Sequence, residues 1–421
     1  MWSLRASVAV AVSLACAGAA AAQPPAPSRT LSFADAVQQA IERNPTVRAA
    51  ASAILRAEGE IRLARAATLL QLGGNVTTTT LNTGVEFQGV TVTPQSSVTA
   101  AITADMPVVA AAAWARRAQA EDERQVATFN VADVRRQVAA ATADAYLTIV
   151  GLRRVVDADR RARDVAKAHY DLASQLERAG TGSRLNALRA QQQWSTVETQ
   201  LETASLAVYR AQEALGVLVV ANGPVDAGEE PVFEVPPDDA RLELFRTDLK
   251  LFAAQQSAAE RILRDSSKDW WPTVDAVFTP QTVYPRPFFV PANSWTFNLR
   301  ANIPIFDSGT RRGTKIERQA AVDQARETLA GATEQAGAQV RTARVAIASA
   351  ERGLASARAA AEQAEQVVTI TNISFRAGAA TNIEVIDAQR AALDAETQAA
   401  VAQDVLTRAR FELLNALGRF P

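Results

Sequence analysis

Residues 374–396 read SFRAGAATNIEVIDAQRAALDAE, a glycine-bearing break inside a long alanine-rich helical pattern. Glycine supplies the left-handed residue at which helices commonly stop, and Thr381 followed three places on by Glu384 restarts one as a capping box. Glu384 and Asp387 then place two carboxylates just beyond the restart. A related break lies upstream in LERAGTGSRLNALRAQQQW, residues 176–194, with Asn186 and Arg189 where the acids stand in the other. Two such turns, each between two long helical stretches, raise the question of duplication.

The spacing answers it. NPTVRAAASAILRAEGEIRLA at 44–64 resembles RTDLKLFAAQQSAAERILRDS at 246–266, and ITADMPVVAA at 102–111 resembles RANIPIFDSG at 300–309. Pro107 to Gly180 spans 73 residues and Pro304 to Gly378 spans 74. Internal repeats decide a fold before local propensity does. The chain is therefore read as one pattern written twice: helix, strand, loop, strand, then two long helices. The first repeat is expected over 23–220, with strands at 72–82 and 95–107 and long helices at 110–178 and 184–216. The second is expected over 245–421, with strands at 272–284 and 294–306 and long helices at 310–376 and 382–417. Between them, ANGPVDAGEEPVFEVPPDDARLEL at 221–244 has the prolines, glycines and acids of a linker outside the rods.

Ser32 with Asp35 three places on marks a helix start, and Pro45 after Asn44 interrupts that helix. The longest proline-free stretches would form rods of roughly 100 Å at 1.5 Å per residue, lengths that call for coiled-coil packing. Their alanines let neighbouring backbones approach closely.

The strands carry a different signal. In SWTFNLRANIPIF, Trp295, Phe297, Leu299, Ala301 and Ile303 alternate with Thr296, Asn298, Arg300 and Asn302. Alternation over about ten residues suits a membrane strand, although a soluble antiparallel sheet also alternates. Aromatics bracket the hairpin: Trp270, Trp271 and Phe306 at one end, Tyr284, Phe288 and Phe289 at the other. That arrangement matches the aromatic girdles of outer-membrane barrels. Trp295, Phe297 and Leu299 would face lipid, and the intervening polar residues a lumen.

Export is indicated independently. MWSLRASVAVAVSLACAGAAAAQ has one arginine, an apolar run and small residues ending at Ala22, the layout of a signal peptide cleaved there. Ser13 stands where a lipid-attachment box prefers a branched apolar residue, which argues against lipidation at Cys16. Cys16 is the only cysteine and His169 the only histidine among 421 residues. Thiolate or histidine-cluster metal sites and histidine-based triads are excluded, so neither an enzyme nor a cofactor is expected. A net charge of −1 gives no support to nucleic-acid binding. His169 itself reads as a packed or solvated helix residue, and neither GTGSRL nor GTRRGTK has the spacing of a phosphate loop.

Four strands cannot close a barrel with an aqueous lumen, and an open edge in lipid leaves backbone groups unpaired at several kcal/mol each. Copies of the chain must then share one barrel. Three copies give twelve strands, and four are also allowed. The long helices would continue as a ring of rods, making a conduit.

With these features the chain resembles the outer membrane efflux protein family, the TolC-like channels. The marks are LSFADAVQQAIERNPTVRAA near the start, IPIFDSGTRR at the strand-to-helix junction, FRAGAATNIEVIDAQRAALDAE, and the closing ARFELLNALG. The resemblance implies a mainly α fold with a membrane β part: a homotrimer with a shared 12-stranded β-barrel in the outer membrane above an α-barrel tunnel in the periplasm. It implies an exit duct of a tripartite efflux pump, coupled to a periplasmic adaptor and an inner-membrane transporter; the duct of a type I secretion system is the alternative. Gly180, Gly182, Gly378 and Ala379 would lie at the tip where the adaptor docks, and Glu384 and Asp387 at the tunnel's constriction. Phe375 and Ala380 stand where better-known channels carry a tyrosine and an arginine of a closing network, so its polar members are missing here. A coiled-coil adaptor would need many more short strands, and a trimeric adhesive stalk would not duplicate helix–hairpin–helix.

Overall fold

The computed structural model describes residues 29–236, 245–286 and 288–420. The expected signal segment with Cys16, and residues 237–244 of the linker, lie outside them. The first repeat comprises β1 (Arg29–Leu31), α1 (Phe33–Arg43), α2 (Pro45–Ala66), β2 (Gln71–Thr80), a small hairpin β3 (Val85–Phe87) and β4 (Val90–Thr93), β5 (Ser96–Val109), α3 (Ala111–Arg178) and α4 (Arg184–Leu218). After β6 (Val225–Ala227) the second repeat follows as α5 (Thr247–Asp265), a 3-10 turn (Ser266–Trp270), β7 (Thr273–Tyr284), β8 (Asn293–Asn302), α6 (Thr310–Arg376) and α7 (Asn382–Ala416). Helix–strand–strand–rod–rod thus occurs twice in order.

Local chemistry sets the boundaries. Ser32 Oγ accepts the Asp35 N–H at 3.1 Å and donates to its carboxylate at 2.8 Å, starting α1. Asn44 ends α1 and begins α2, its Oδ1 accepting the Thr46 N–H at 2.9 Å, with Pro45 in the first turn where no donor is needed. The same amide donates to the Leu218 carbonyl at 3.1 Å, tying this break to the end of α4.

The rods lie side by side in the order α4, α3, α7, α6, with α2 and α5 packed against α3. Alanine and β-branched residues fill the seams: Ala139 and Ala143 of α3 are fully buried, and Val340, Ala343, Ile347 and Ala350 of α6 face Leu406, Ala409 and Leu413 of α7. Between the start of α1, the middle of α3 and the end of α7, Phe33, Tyr146, Phe233, Phe411 and Phe420 form an aromatic cluster.

That cluster shows how the linker, outside the rods themselves, packs against them. β6 pairs in parallel with β1, Phe33 packs edge-on against Phe233 at 5.4 Å, and the Tyr146 hydroxyl donates to the Glu229 carbonyl at 2.8 Å. Arg153 pairs with Asp226 and donates to the Ala227 carbonyl at 2.5 Å. Residues 221–236 are thus a clasp holding both repeats, because Val225 and Phe233 offer apolar surface that the flanking prolines and acids conceal in the sequence.

The four long strands form one antiparallel sheet in the order β2, β5, β7, β8. Its register sets Trp295 opposite Pro280, Phe297 opposite Phe278 and Leu299 opposite Ala276, while Thr296, Asn298 and Arg300 meet Thr279, Val277 and Asp275. β8 ends at Asn302, so Ile303 and Phe306 lie beyond the ladder. Among the described residues no helix is long and apolar enough to cross a membrane.

Candidate functional site

Two places carry unusual chemistry: the sheet and the turns at the far end of the rods. In the sheet the apolar face is left uncovered. Trp295, Phe297 and Leu299 are 67%, 60% and 65% exposed, and Leu72, Val76, Ile102 and Phe278 are bare on the same face. On the opposite face Ala101 and Val277 are buried, while Thr296, Asn298, Arg300 and Asn302 are exposed. A soluble sheet hides its apolar face; this one displays it.

Trp270, Trp271 and Phe306 are exposed at the end of the sheet nearest the rods. The Arg311 guanidinium lies over the Trp270 ring at 4.5 Å, fixed by a bond to the Asp307 carboxylate at 2.7 Å. Tyr284, Phe288 and Phe289 are exposed at the opposite end, the last two in edge-to-face contact at 5.0 Å.

At the tip, both turns are built alike. Gly180 and Gly378 hold φ of +74° and +76°, a conformation costly for residues with a side chain. The N–H groups of Thr181 and Gly182 both reach the Leu176 carbonyl, at 3.0 and 2.8 Å; those of Ala379 and Ala380 both reach the Ser374 carbonyl, at 2.8 and 3.2 Å. Ser183 then caps α4 by accepting the Leu185 N–H at 3.2 Å. Thr381 caps α7 through a full capping box, accepting the Glu384 N–H at 3.3 Å while the Glu384 carboxylate accepts the Thr381 N–H at 2.7 Å.

The two acids therefore differ. Glu384 is engaged in starting its helix. Asp387 is exposed and makes no hydrogen bond or ion pair among the described residues.

Beneath the turns lies a joint that the sequence reading passed over. His169 is buried, only 4% exposed, with Nε2 at 2.7 Å from Asn382 Oδ1; Asn382 is 3% exposed and donates Nδ2 to the Asn186 carbonyl at 3.4 Å. Phe375 sets its ring against the imidazole at 5.3 Å. Burial lowers the His169 pKa, and the bond to Asn382 opposes that shift. One signal was available: His169 shares a helical stripe with the buried Ala166 and Ala173. A second tie runs from Arg390 Nε to Gln193 Oε1 at 2.8 Å, and Tyr170 stacks on Trp194 at 5.6 Å.

An open sheet with its apolar side outward, joined to an open array of rods that ends in paired turns, is the subunit architecture of a TolC-like channel. The sequence model of the family described as "Outer membrane efflux protein" matches residues 36–219 and 240–419, one block per repeat, and the chain belongs to that family. Among solved structures the fold is similar to the outer membrane protein VceC of Vibrio cholerae, with a TM-score of 0.79 at 19% identity over 92% of this chain and 96% of that one. It is also similar to the Campylobacter jejuni CmeC outer membrane channel (TM-score 0.79, 14% identity, 92% and 85% covered). The open state of the Neisseria gonorrhoeae MtrE outer membrane channel gives 0.78 at 17% identity, covering 92% of this chain and 88% of that one. No curated protein sequence matches the chain.

Proposed function

We propose that three copies assemble into an outer-membrane channel and periplasmic tunnel, the passive exit duct of a tripartite efflux pump. The observation that carries this reading is that sheet and rods are open at corresponding places. β2 and β8 are the unpaired edges of the sheet, and α4 and α6 the outer members of the helix array. In lipid an unpaired strand edge costs several kcal/mol per backbone group, so β8 of one protomer pairs with β2 of the next. The same rotation brings α6 against a neighbouring α4. Three copies close both rings together, giving twelve strands and twelve rods.

In this assembly Trp295, Phe297 and Leu299 face acyl chains, and Trp270, Trp271 and Phe306 form the periplasmic girdle. Thr296, Asn298, Arg300 and Asn302, on the face opposite the aromatic one, line the lumen. Asp387 of each protomer approaches the axis at the tip, while Gly180, Gly182, Gly378 and Ala379 shape the end that receives the adaptor, with the inner-membrane transporter beyond it. Energy is supplied by that transporter.

The test is purification from outer-membrane fractions followed by conductance in planar bilayers. A heat-modifiable trimer that passes ions is the expected result. A monomer that fractionates with soluble proteins and leaves the bilayer silent would sink the proposal.

A further inference from the structure

His169 is the one histidine of the sequence, and it sits where the four rods meet beneath the tip. It extends from α3 to Asn382 in the first turn of α7, with Phe375 of α6 against its ring; Asn382 carries the connection to Asn186 of α4. A single side-chain pair thus links both tip turns.

The hydrogen-bond pattern fixes the protonation state of the closed joint. The Asn382 amide nitrogen faces the Asn186 carbonyl, so its oxygen faces the imidazole and can only accept. Nε2 therefore carries the proton, and Nδ1 is left as a buried lone pair with no partner among the described residues. A second proton would have to go onto Nδ1, where it would meet neither an acceptor nor water.

No counter-ion is in place to receive that charge. On its own helix the nearest charged groups are Lys167 and Asp171, both exposed, with Lys167 5.9 Å over the Trp194 ring. On α4 and α6, Arg184, Arg189 and Arg376 are exposed cations, and a cation gives an imidazolium no relief. On α7, Glu384 is held in its capping box, Asp387 is exposed, and Arg390 is bonded to Gln193. The forces acting on the imidazole reduce to burial and the Asn382 bond.

We propose that His169 is a proton-operated latch: neutral, it holds the two tip turns together; protonated, it releases them and widens the tip. This rests on the reading of the tip as the tunnel's periplasmic aperture. The sign follows from the environment. Burial depresses the imidazole below its ordinary value near 6.5, so closure is at full strength above that value and weakens as pH falls from it through the depressed one. Release lets Nδ1 reach water.

The experiment compares full-length trimers in planar bilayers at about pH 7.5 and about pH 5.5, a window in which histidine is the side chain that titrates. Wild-type conductance should rise severalfold at the acid value. His169→Gln keeps an N–H for Asn382 but cannot titrate, and should give a flat profile. Asn382→Asp supplies the missing counter-ion and should suppress acid opening. A separate arm follows the single imidazole by NMR in detergent, alongside hydrogen exchange of the segment 377–389. The midpoint should lie below 6.5, with exchange, corrected for intrinsic rates, accelerating as the imidazole protonates. An equal rise in wild type and His169→Gln would overturn the latch, as would an imidazole that titrates without any change in exchange. A protein silent at every pH would instead refute the channel reading, and the NMR and exchange arm would still decide the latch.

Discussion

The two tip turns share a backbone and differ in chemistry. Both stop a rod with a left-handed glycine and both send two successive N–H groups to one carbonyl. The first turn is more crowded at its second donor, where Gly182 N lies 2.8 Å from its acceptor against 3.2 Å for Ala380, while at the first donor the order is reversed, 3.0 Å for Thr181 against 2.8 Å for Ala379. A Cβ at Gly182 would fall 2.8 Å from Leu176 Cβ and 2.9 Å from Glu177 N, whereas Ala380 carries its methyl group in the corresponding place. Beyond the turn, Asn186 and Arg189 stand where the second repeat has Glu384 and Asp387. Duplication has kept the devices that set the path of the chain and let the side chains around them divide the work. In the proposed channel the turn with Asn186 and Arg189 would brace, and the acidic turn would face the aperture.

The largest effect should arise where the two repeats remain equivalent. Ile102 on β5 and Leu299 on β8 lie on the same bare apolar face. An arginine there costs ~2–4 kcal/mol per copy near the bilayer midplane, and a trimer carries three copies. Ile102→Arg and Leu299→Arg should both abolish heat-modifiable trimers in outer-membrane fractions, while Thr103→Arg and Asn298→Arg, one residue along on the opposite face, should still assemble. Loss in all four variants would remove the distinction between the faces.

Next come the turns themselves. Gly182→Val should destabilise the first turn by ~1–3 kcal/mol, since the added carbons have no room, and should increase protease sensitivity around 176–190. Ala380→Gly removes one half-buried methyl group and frees the unfolded chain, and should destabilise the second turn by less, about 0.4–1 kcal/mol. Equal sensitivity would mean that the difference in crowding has no energetic weight.

The caps separate the turns again, at smaller cost. Ser183→Ala and Thr381→Ala each remove an N-cap worth ~1 kcal/mol. Glu384→Ala adds a loss that Asn186→Ala does not, because only Glu384 bonds back to its cap. Hydrogen exchange in the first turns of α4 and α7 measures both.

Most of this scaffold was legible from the sequence because its signals are local or periodic. Caps at Ser32 and Thr381, the Asn44–Pro45 break, alternation around Phe297 and the matched proline–glycine spacings need no knowledge of partners. The joint at His169 was not legible, since its meaning depends on Asn382, 213 residues away in sequence. The clasp at 221–236 was hidden for the same reason: Phe233 packs against Phe33 and Phe411, one from each repeat and both distant in sequence. Polar joints and docked linkers are properties of a tertiary arrangement, and a composition rich in proline and acid points away from them.

Asp387 gives the last and smallest contrast. It is exposed and unpaired among the described residues, so Asp387→Ala removes no contact on which the fold depends. A change in conduction could then not be charged to misfolding. In the proposed trimer three Asp387 carboxylates near the axis would attract cations into the tip, and their field is screened within ~10 Å at 0.1 M salt and ~3 Å at 1 M. Asp387→Ala should therefore weaken cation preference and multivalent-cation block at low ionic strength, measured as a reversal potential across a salt gradient. The difference from wild type should shrink at high salt. Arg189→Ala, at the matching place in the first repeat, should move the reversal potential far less. Equal and opposite shifts from the two variants would mean that both repeats line the aperture, and the division of labour between the turns would have to be given up.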